Sequence, residues 1–488
     1  MRLATPGTTV SGIPILAAWI AMQTSFSPVA SAETTWVSAD TTDEIIDALS
    51  TASSTKVPTT IQIAPGRYVF LRNDSSPASG VLPAISSSVR IVGRDVATTS
   101  FESNFEGHIF TVTGSGSLKV KNLTIARGGG DLDGGGAAAN YGGFLRFDGC
   151  RILENSTGAE DGALGGAILS INGRLHVENT LFLANRVDGD GGAIALIGGS
   201  AILRNVIIDG NSAYSFPSGG AGGGIYASRA TLTIVDSTLV GNRAGDIGGS
   251  SRNGNGGGIF SDGVLWMRDS AVIKNGVEYI GRGGGIYSGG VMTIKNSTVA
   301  ANYAGTFGGG IFNRGKVSMQ GVTIADNMAD GNMFACDDLS ATPCSGGGGL
   351  WNEGSGSIRS VRSILAGNEI QPFGFPGSDG PDCAGMLYSD GYNAVGDVAG
   401  CVLRPSWILQ GQPTNDQIDV DPRLGDLVDN GKAGNAHLPL LDDSPLIDAG
   451  GRVSKTCTAL DQIGQARVDA DGDSRRECDI GAIEYQVP

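Results

Sequence analysis

A cluster of glycines followed by one aliphatic residue recurs through the chain and limits its fold more than any other feature. Copies stand at 165–168, 191–194, 222–225, 256–259, 283–286, 308–311 and 347–350, closing on Ile168, Ile194, Ile225, Ile259, Ile286, Ile311 and Leu350, with a degenerate copy at 134–137. An asparagine follows sixteen to eighteen residues after the last residue of each copy: Asn155, Asn185, Asn211, Asn242, Asn275, Asn302, Asn327 and Asn368. Between the two lies an alternating apolar stretch such as Leu232-Thr233-Ile234-Val235, then a polar turn residue six positions before the asparagine (Asn179, Asn205, Asp236, Asp269, Asn296). Short period-two strands between Gly/Asn/Asp turns, repeated every 25 residues or more, are the pattern of coils in a parallel β-helix. One asparagine per coil would stack its amide along the axis at a tight turn, so this row reads as structural. The part that varies in length follows the asparagine.

Less regular coils are expected upstream at 60–63, 89–92, 109–112 and 118–120, preceded by a short amphipathic helix at 43–49 with a capping box from Thr41 and Glu44. A helix there would cover the open strand edges of the first coil. The expectation is an all-β, right-handed parallel β-helix of about a dozen coils, a rod of roughly 55–60 Å, with a disulfide-linked C-terminal cap. Its parts are a signal segment at 1–32, an N-terminal cap and first coils at 33–130, Gly-rich coils at 131–370 and a C-terminal region at 371–488.

Composition sharpens this reading. With 79 glycines in 488 residues and no Gly-X-Y period, the chain is Gly-rich without being collagenous. A formal charge of −16 argues against nucleic acid as a partner, and a polyanionic substrate would need a local basic cleft or bridging cations. Arg2, an apolar run at 13–22 and Ala30-Ser31-Ala32 read as a cleaved secretory signal, whose loss leaves −17. No later stretch is long and apolar enough for a membrane-spanning helix. An exported chain suits three disulfides, pairing by proximity as Cys336–Cys344, Cys383–Cys401 and Cys457–Cys478. Cys150 is left as a buried, inert thiol.

The pairing of Gly-Gly-Ala-Ile194 with Phe182-Leu183-Ala184-Asn185 resembles the GGAI and FxxN repeats of polymorphic outer membrane proteins, although the end of this chain lacks the strand pattern of their translocator barrel. The last hundred residues resemble the choice-of-anchor Q family of secreted right-handed β-helix proteins. Asp382-Cys383, the stretch from Ser389 to Asn393, Asp421-Pro422-Arg423-Leu424-Gly425, Asp429-Asn430-Gly431, His437, the stretch from Ser444 to Gly450, and that from Cys478 to Glu484 carry the likeness. It implies fold and an extracellular location, and no defined reaction. The family region is normally followed by an anchor, and none is expected in the four residues after Glu484.

Two kinds of site are expected on the strand after each variable loop. Tyr226, Phe260, Tyr287, Phe312 and Trp351 occupy one position on five successive rungs, opposite in facing to the preceding aliphatic, and would form an outer stripe of about 20 Å. Such a stripe either meets sugar rings or lies under the loops as a second small core. Asp262, Arg314 and Glu353 at the strand ends could serve a calcium-assisted uronate lyase, with Arg314 near the reacting centre, or be solvated decoration. A polygalacturonase is disfavoured, because no Gly-His-Gly exists and Asp337-Asp338 and Asp442-Asp443 lie outside coil strands. Asp469, Asp471 and Asp473, closed by Asp479, resemble the start of a calcium loop without completing it. The expected partner is therefore an extracellular polysaccharide or a host or cell-surface glycan, bound by an adhesive or structural protein. The alternative is a polysaccharide lyase. Calcium is an optional cofactor in either case.

Overall fold

The computed structural model describes residues 34–72, 80–130, 133–158, 162–215, 219–245, 254–330, 345–371, 380–406, 414–451, 459–467 and 477–486. The signal segment, Cys336, Cys344, Cys457, Asp469, Asp471 and Asp473 lie outside them. Within them the chain is a parallel β-helix, each coil carrying up to four strands in four stacked faces.

In one coil the first face is Ile225–Ser228, the second Thr231–Val235, the third Thr238–Val240 and the fourth Arg243–Gly245. Each pairs in parallel with its counterpart one coil on: Ile259–Ser261, Val264–Arg268, Ala271–Ile273 and Gly276–Val277. The first-face ladder has ten strands among the described residues, from Phe110–Thr113 to Cys383–Ser389. The second-face ladder begins at Thr35–Ala39 and ends at Cys401–Pro405. Parallel pairing thus continues past residue 370, into the C-terminal region.

Alternation decides which side chains point inward. Leu232 and Ile234 stack on Leu265 and Met267, then on Met292 and Ile294, all buried in one axial core. Fully burying such a side chain is worth about 1.5–3 kcal/mol. A single coil buries them only against its neighbours, so stability accrues through the stack. Each glycine cluster makes the return into the first face. Gly222 sits at φ +65°, and a Cβ on Gly223 would lie 2.4 Å from the carbonyl carbon of Arg243. The first glycine is there for its backbone angle and the second for closeness.

The asparagine row forms a continuous buried ladder. Nδ2 of Asn155 donates to Oδ1 of Asn185 at 2.9 Å, and the same bond repeats through Asn211, Asn242, Asn275, Asn302 and Asn327 to Asn368. Each Oδ1 also accepts the backbone N–H of the preceding asparagine, as Asn302 does from Asn275 at 3.0 Å. The residue before many of these asparagines is left-handed, among them Ala184, Lys274 and Ala301, as are the turn residues Asn179, Asn205, Asp236, Asp269 and Asn296.

The ladder ends on an acid. Asp382 Oδ1 accepts from Asn368 N at 2.9 Å and Nδ2 at 2.8 Å, while Oδ2 accepts from Asp397 N at 2.7 Å. A carboxylate only accepts, so the terminal position needs no further acceptor beyond it. A second, interrupted row at the bend between second and third faces, made by Thr180, Ser237, Ser270, Ser297 and Ser363, ends the same way. Asn393 N and Nδ2 both donate to Asp416 Oδ1, at 2.8 and 3.0 Å.

At the other end the helix runs Thr42–Thr55, a turn and a half beyond the expected 43–49. Thr41 Oγ1 accepts from Glu44 N at 3.3 Å, and the Glu44 carboxylate reaches back to Asp40 N at 2.9 Å. Ile45, Ala48, Leu49 and Ala52 face the core, and the last of these extends the apolar stripe past the span read from the sequence. Lys56 ends the helix in a left-handed conformation.

After Gln417–Ile418 the chain leaves the ladder and returns along the third face as a strap. Gly434 N donates to Thr238 Oγ1 at 2.9 Å, and Thr298 Oγ1 donates to Gln462 Oε1 at 2.6 Å. Ala482 N donates to Thr323 Oγ1 at 3.1 Å. Ala436 and Leu438 pack on the outward Ala271, Ile273, Ala300 and Ala325. Arg467 pairs with Glu484 at 2.7 Å, both side chains buried. Cys383 and Cys401 are bonded, with Cα atoms 5.3 Å apart. Cys478 is also in a disulfide, and Cys150 is free and buried.

Candidate functional site

The first face holds most of the side chains that the sequence singles out. Ile225, Ile259, Ile286, Ile311 and Leu350 point into the axial core, which turns their neighbours outward. Four of those neighbours stack. Ring centroids lie 4.9 Å apart between Tyr226 and Phe260, 4.9 Å between Phe260 and Tyr287, and 5.2 Å between Tyr287 and Phe312, with planes 13–17° apart. Trp351 is in register with Phe312 but packs instead on Phe307, at 4.5 Å.

Stacking spends the ring faces on each other and leaves edges turned outward. Tyr226, Phe260 and Trp351 are half-buried, whereas Tyr287 is 8% and Phe312 1% exposed. The cover comes partly from a row the sequence reading did not single out. The residue immediately before each glycine cluster lies in register with its neighbours: Ala221, Asn255, Arg282, Phe307 and Gly346. The Arg282 guanidinium lies 5.2 Å from the Phe312 centroid and 5.7 Å from that of Phe307. The fixed offset of this row from the glycines was the available signal.

The three charged candidates sit at the corner between first and second faces. Arg314 Nε pairs with Glu353 Oε2 at 2.5 Å, and Arg282 Nη1 approaches Glu353 Oε1 at 3.8 Å. Arg314 Nη1 also reaches Tyr287 Oη at 3.5 Å. These contacts raise the Arg314 pKa, with Tyr287 first and Glu353 next. Asp262 does not join them. Its carboxylate caps an earlier turn, accepting from Arg229 N at 2.5 Å and Ser228 Oγ at 3.0 Å. It is two coils from Arg314, about 10 Å along the axis.

At the Tyr226 end, Asp190 accepts from Ala221 N at 2.7 Å, and burial pushes its carboxyl up to about 6. Burial and then the Asp190 charge raise the Tyr226 phenol. Asp479, the one described member of the expected calcium loop, is buried in the strap. Its oxygens accept from Asp448 N at 2.7 Å and Tyr485 N at 2.5 Å. Burial and then the Glu484 charge push its carboxyl up to about 7. Among the described residues no group of three His, Cys, Asp or Glu is placed to hold a metal. No described helix is long and apolar enough to cross a membrane.

No known family profile and no curated protein matches this chain. Among solved structures, the A-module of the Azotobacter vinelandii mannuronan C-5 epimerase AlgE6 is similar over 78% of this chain and 92% of that chain, at 13% identity and a TM-score of 0.31. At that level the likeness adds nothing to what the parallel coils themselves show: the chain is a parallel β-helix.

Proposed function

We propose that this is an exported β-helix protein of the choice-of-anchor Q type that binds carbohydrate outside the cell as an adhesive or structural element. The observation that carries the reading is the in-register ladder of outward side chains, aromatic from Tyr226 to Trp351 on the first face. A side chain of one kind repeated at every coil suits a linear polymer better than a compact small molecule. The N-terminal stretch read as a secretory signal, the Cys383–Cys401 bond and the C-terminal motifs support the extracellular location. Calcium, if used, would bind at Asp469, Asp471 and Asp473, and chelator would then lower the melting temperature.

One arrangement favours the alternative, a uronate lyase. Arg314 beside the Tyr287 hydroxyl puts a cation and a phenol within reach of one substrate. Against it, Glu353 already neutralises Arg314, and Asp262 is engaged elsewhere. One experiment separates the two. The protein is incubated with a panel of neutral and uronate polysaccharides, with calcium or chelator, while binding and the ultraviolet absorbance of unsaturated uronate are followed. Binding with a flat absorbance trace, weakened in Tyr226→Ala/Phe260→Ala, is the expected result. Absorbance growth lost in Arg314→Ala would establish the lyase instead.

A further inference from the structure

We infer that the second face binds an acidic polysaccharide laid along the solenoid axis. This rests on the carbohydrate reading above and adds to the first-face site a second one, for polyanionic chains, on a different face. The protein is acidic, with 33 Lys and Arg against 49 Asp and Glu. The second-face strands nevertheless carry eleven of those cations and two of those acids, Asp148 and Glu178. Register aligns them: Arg90, Lys119, Arg146 and His176 stand at one outward position on four successive coils.

Both acids are already satisfied, Asp148 by Lys121 at 3.6 Å and Glu178 by Arg146 at 2.8 Å. On the adjoining rim Asp236 pairs with Arg204 at 3.7 Å, and Asp269 with Arg268. Arg90, Lys119, Arg174, Lys295 and Lys316 are exposed and have no acidic partner among the described residues. The same outward row continues through Ile202 and Thr233 to Trp266 and Thr293. Trp266 is 49% exposed. Its neighbours along the row are threonines, so its indole is not consumed by stacking as the first-face rings are. A sugar ring can lie against it.

Shape and charge favour a chain over an anionic lipid surface. The basic strip is one strand wide. Asp262 and Glu353 mark one edge, and Asp236 and Asp269 the other. The strap that folds back beside it has 11 acids against 3 cations among its described residues after Ile418. A flat anionic bilayer would bring those carboxylates against its headgroups, whereas a single polymer chain follows the strip and meets a cation at most coils.

Affinity electrophoresis of the full protein tests this, with chelator present to remove bridging cations. Probes are polygalacturonate, dextran of matched length, and phosphatidylcholine vesicles with and without phosphatidylserine. The expected result is retardation by polygalacturonate that weakens with salt and is absent for dextran. Arg90→Glu/Lys119→Glu/Arg174→Glu should bind at least about tenfold more weakly. Trp266→Ala should bind several-fold more weakly, and Arg243→Glu, a charge reversal on the exposed fourth face, as wild type. Far-ultraviolet circular dichroism and denaturation midpoints confirm that each variant folds, and Trp266→Ala gives a second readout if the charge reversal does not. Equal polygalacturonate binding by all variants would overturn the second face as the site and leave the carbohydrate reading standing. Binding to neutral glycan alone would do the same. Preference for phosphatidylserine vesicles would replace the polysaccharide with a membrane, and no glycan binding of any kind would overturn both readings.

Discussion

Asn275 shows what one ladder position contributes. Its Nδ2 donates to Leu239 O, Ile273 O and Asn302 Oδ1, each at 3.0 Å, and its Oδ1 accepts both N–H groups of Asn242. Asn275→Ala strands buried donors and acceptors on both sides, and should cost about 2–5 kcal/mol in chemical denaturation. Cys150 makes the opposite case. Burial pushes its thiol up to about 12, and its sulfur lies 3.6 Å from the carbonyl oxygens of Val120 and Asp148. It should resist thiol reagents in the folded protein and react fully in denaturant. Both residues were legible in the sequence, because their surroundings repeat from coil to coil. Asp382 was not legible as the ladder's end, because an acid at a row terminus looks like any loop acid until the amides before it are placed.

Among the elements, the strap is what the sequence concealed. The residues it touches are far away along the chain; Thr298 and Gln462 are 164 positions apart. A signal did exist in the third-face strands. Where the strap covers them, the outward residues of Ala271–Ile273, 298–300, 323–325 and Ile364–Ala366 are alanine, isoleucine or threonine and none is charged, whereas uncovered Arg151–Leu153 keeps an arginine. Gln462 also donates to Gly434 O at 3.0 Å and Ala436 O at 2.7 Å. Gln462→Ala should therefore speed amide exchange and proteolysis at 433–438 while the coils stay protected. The strap should also respond to pH. The Asp479 carboxyl is raised in the folded state, so its protonated form favours the fold. That contribution is fully present below about pH 4, where the unfolded carboxyl titrates, and fades as pH rises through about 7. Asp479→Asn should flatten the fall in strap stability across that window, measured by amide exchange at 477–486.

For the whole molecule, the fold could be read because one rule, inward aliphatic and outward variable, holds for every coil. The site could be read only in part. The sequence gives the row of aromatics, but stacking turned their faces on one another, and Arg282 and Phe307 cover their far end. Charge is also segregated, with cations on the second face and acids in the C-terminal region. Association at low salt should place one copy's acids against another's strip. Sedimentation at low and high ionic strength should show such contacts dissolving with added salt, and the second-face charge reversal should abolish them.

The asparagine ladder has a head and a tail. Every amide points toward Asp382, and only that carboxylate closes the series. Rods of other lengths are therefore reachable by changing the middle and leaving the two ends alone. Between Asn302 and Asn327 one turn takes 25 residues. Copying such a unit in frame would add a donor and an acceptor together and extend every outward row by one position. Adding a fraction of a turn would leave an amide facing the wrong partner. Length in this protein is thus a whole-number property, and a polymer lying on its surface would be measured in the same units.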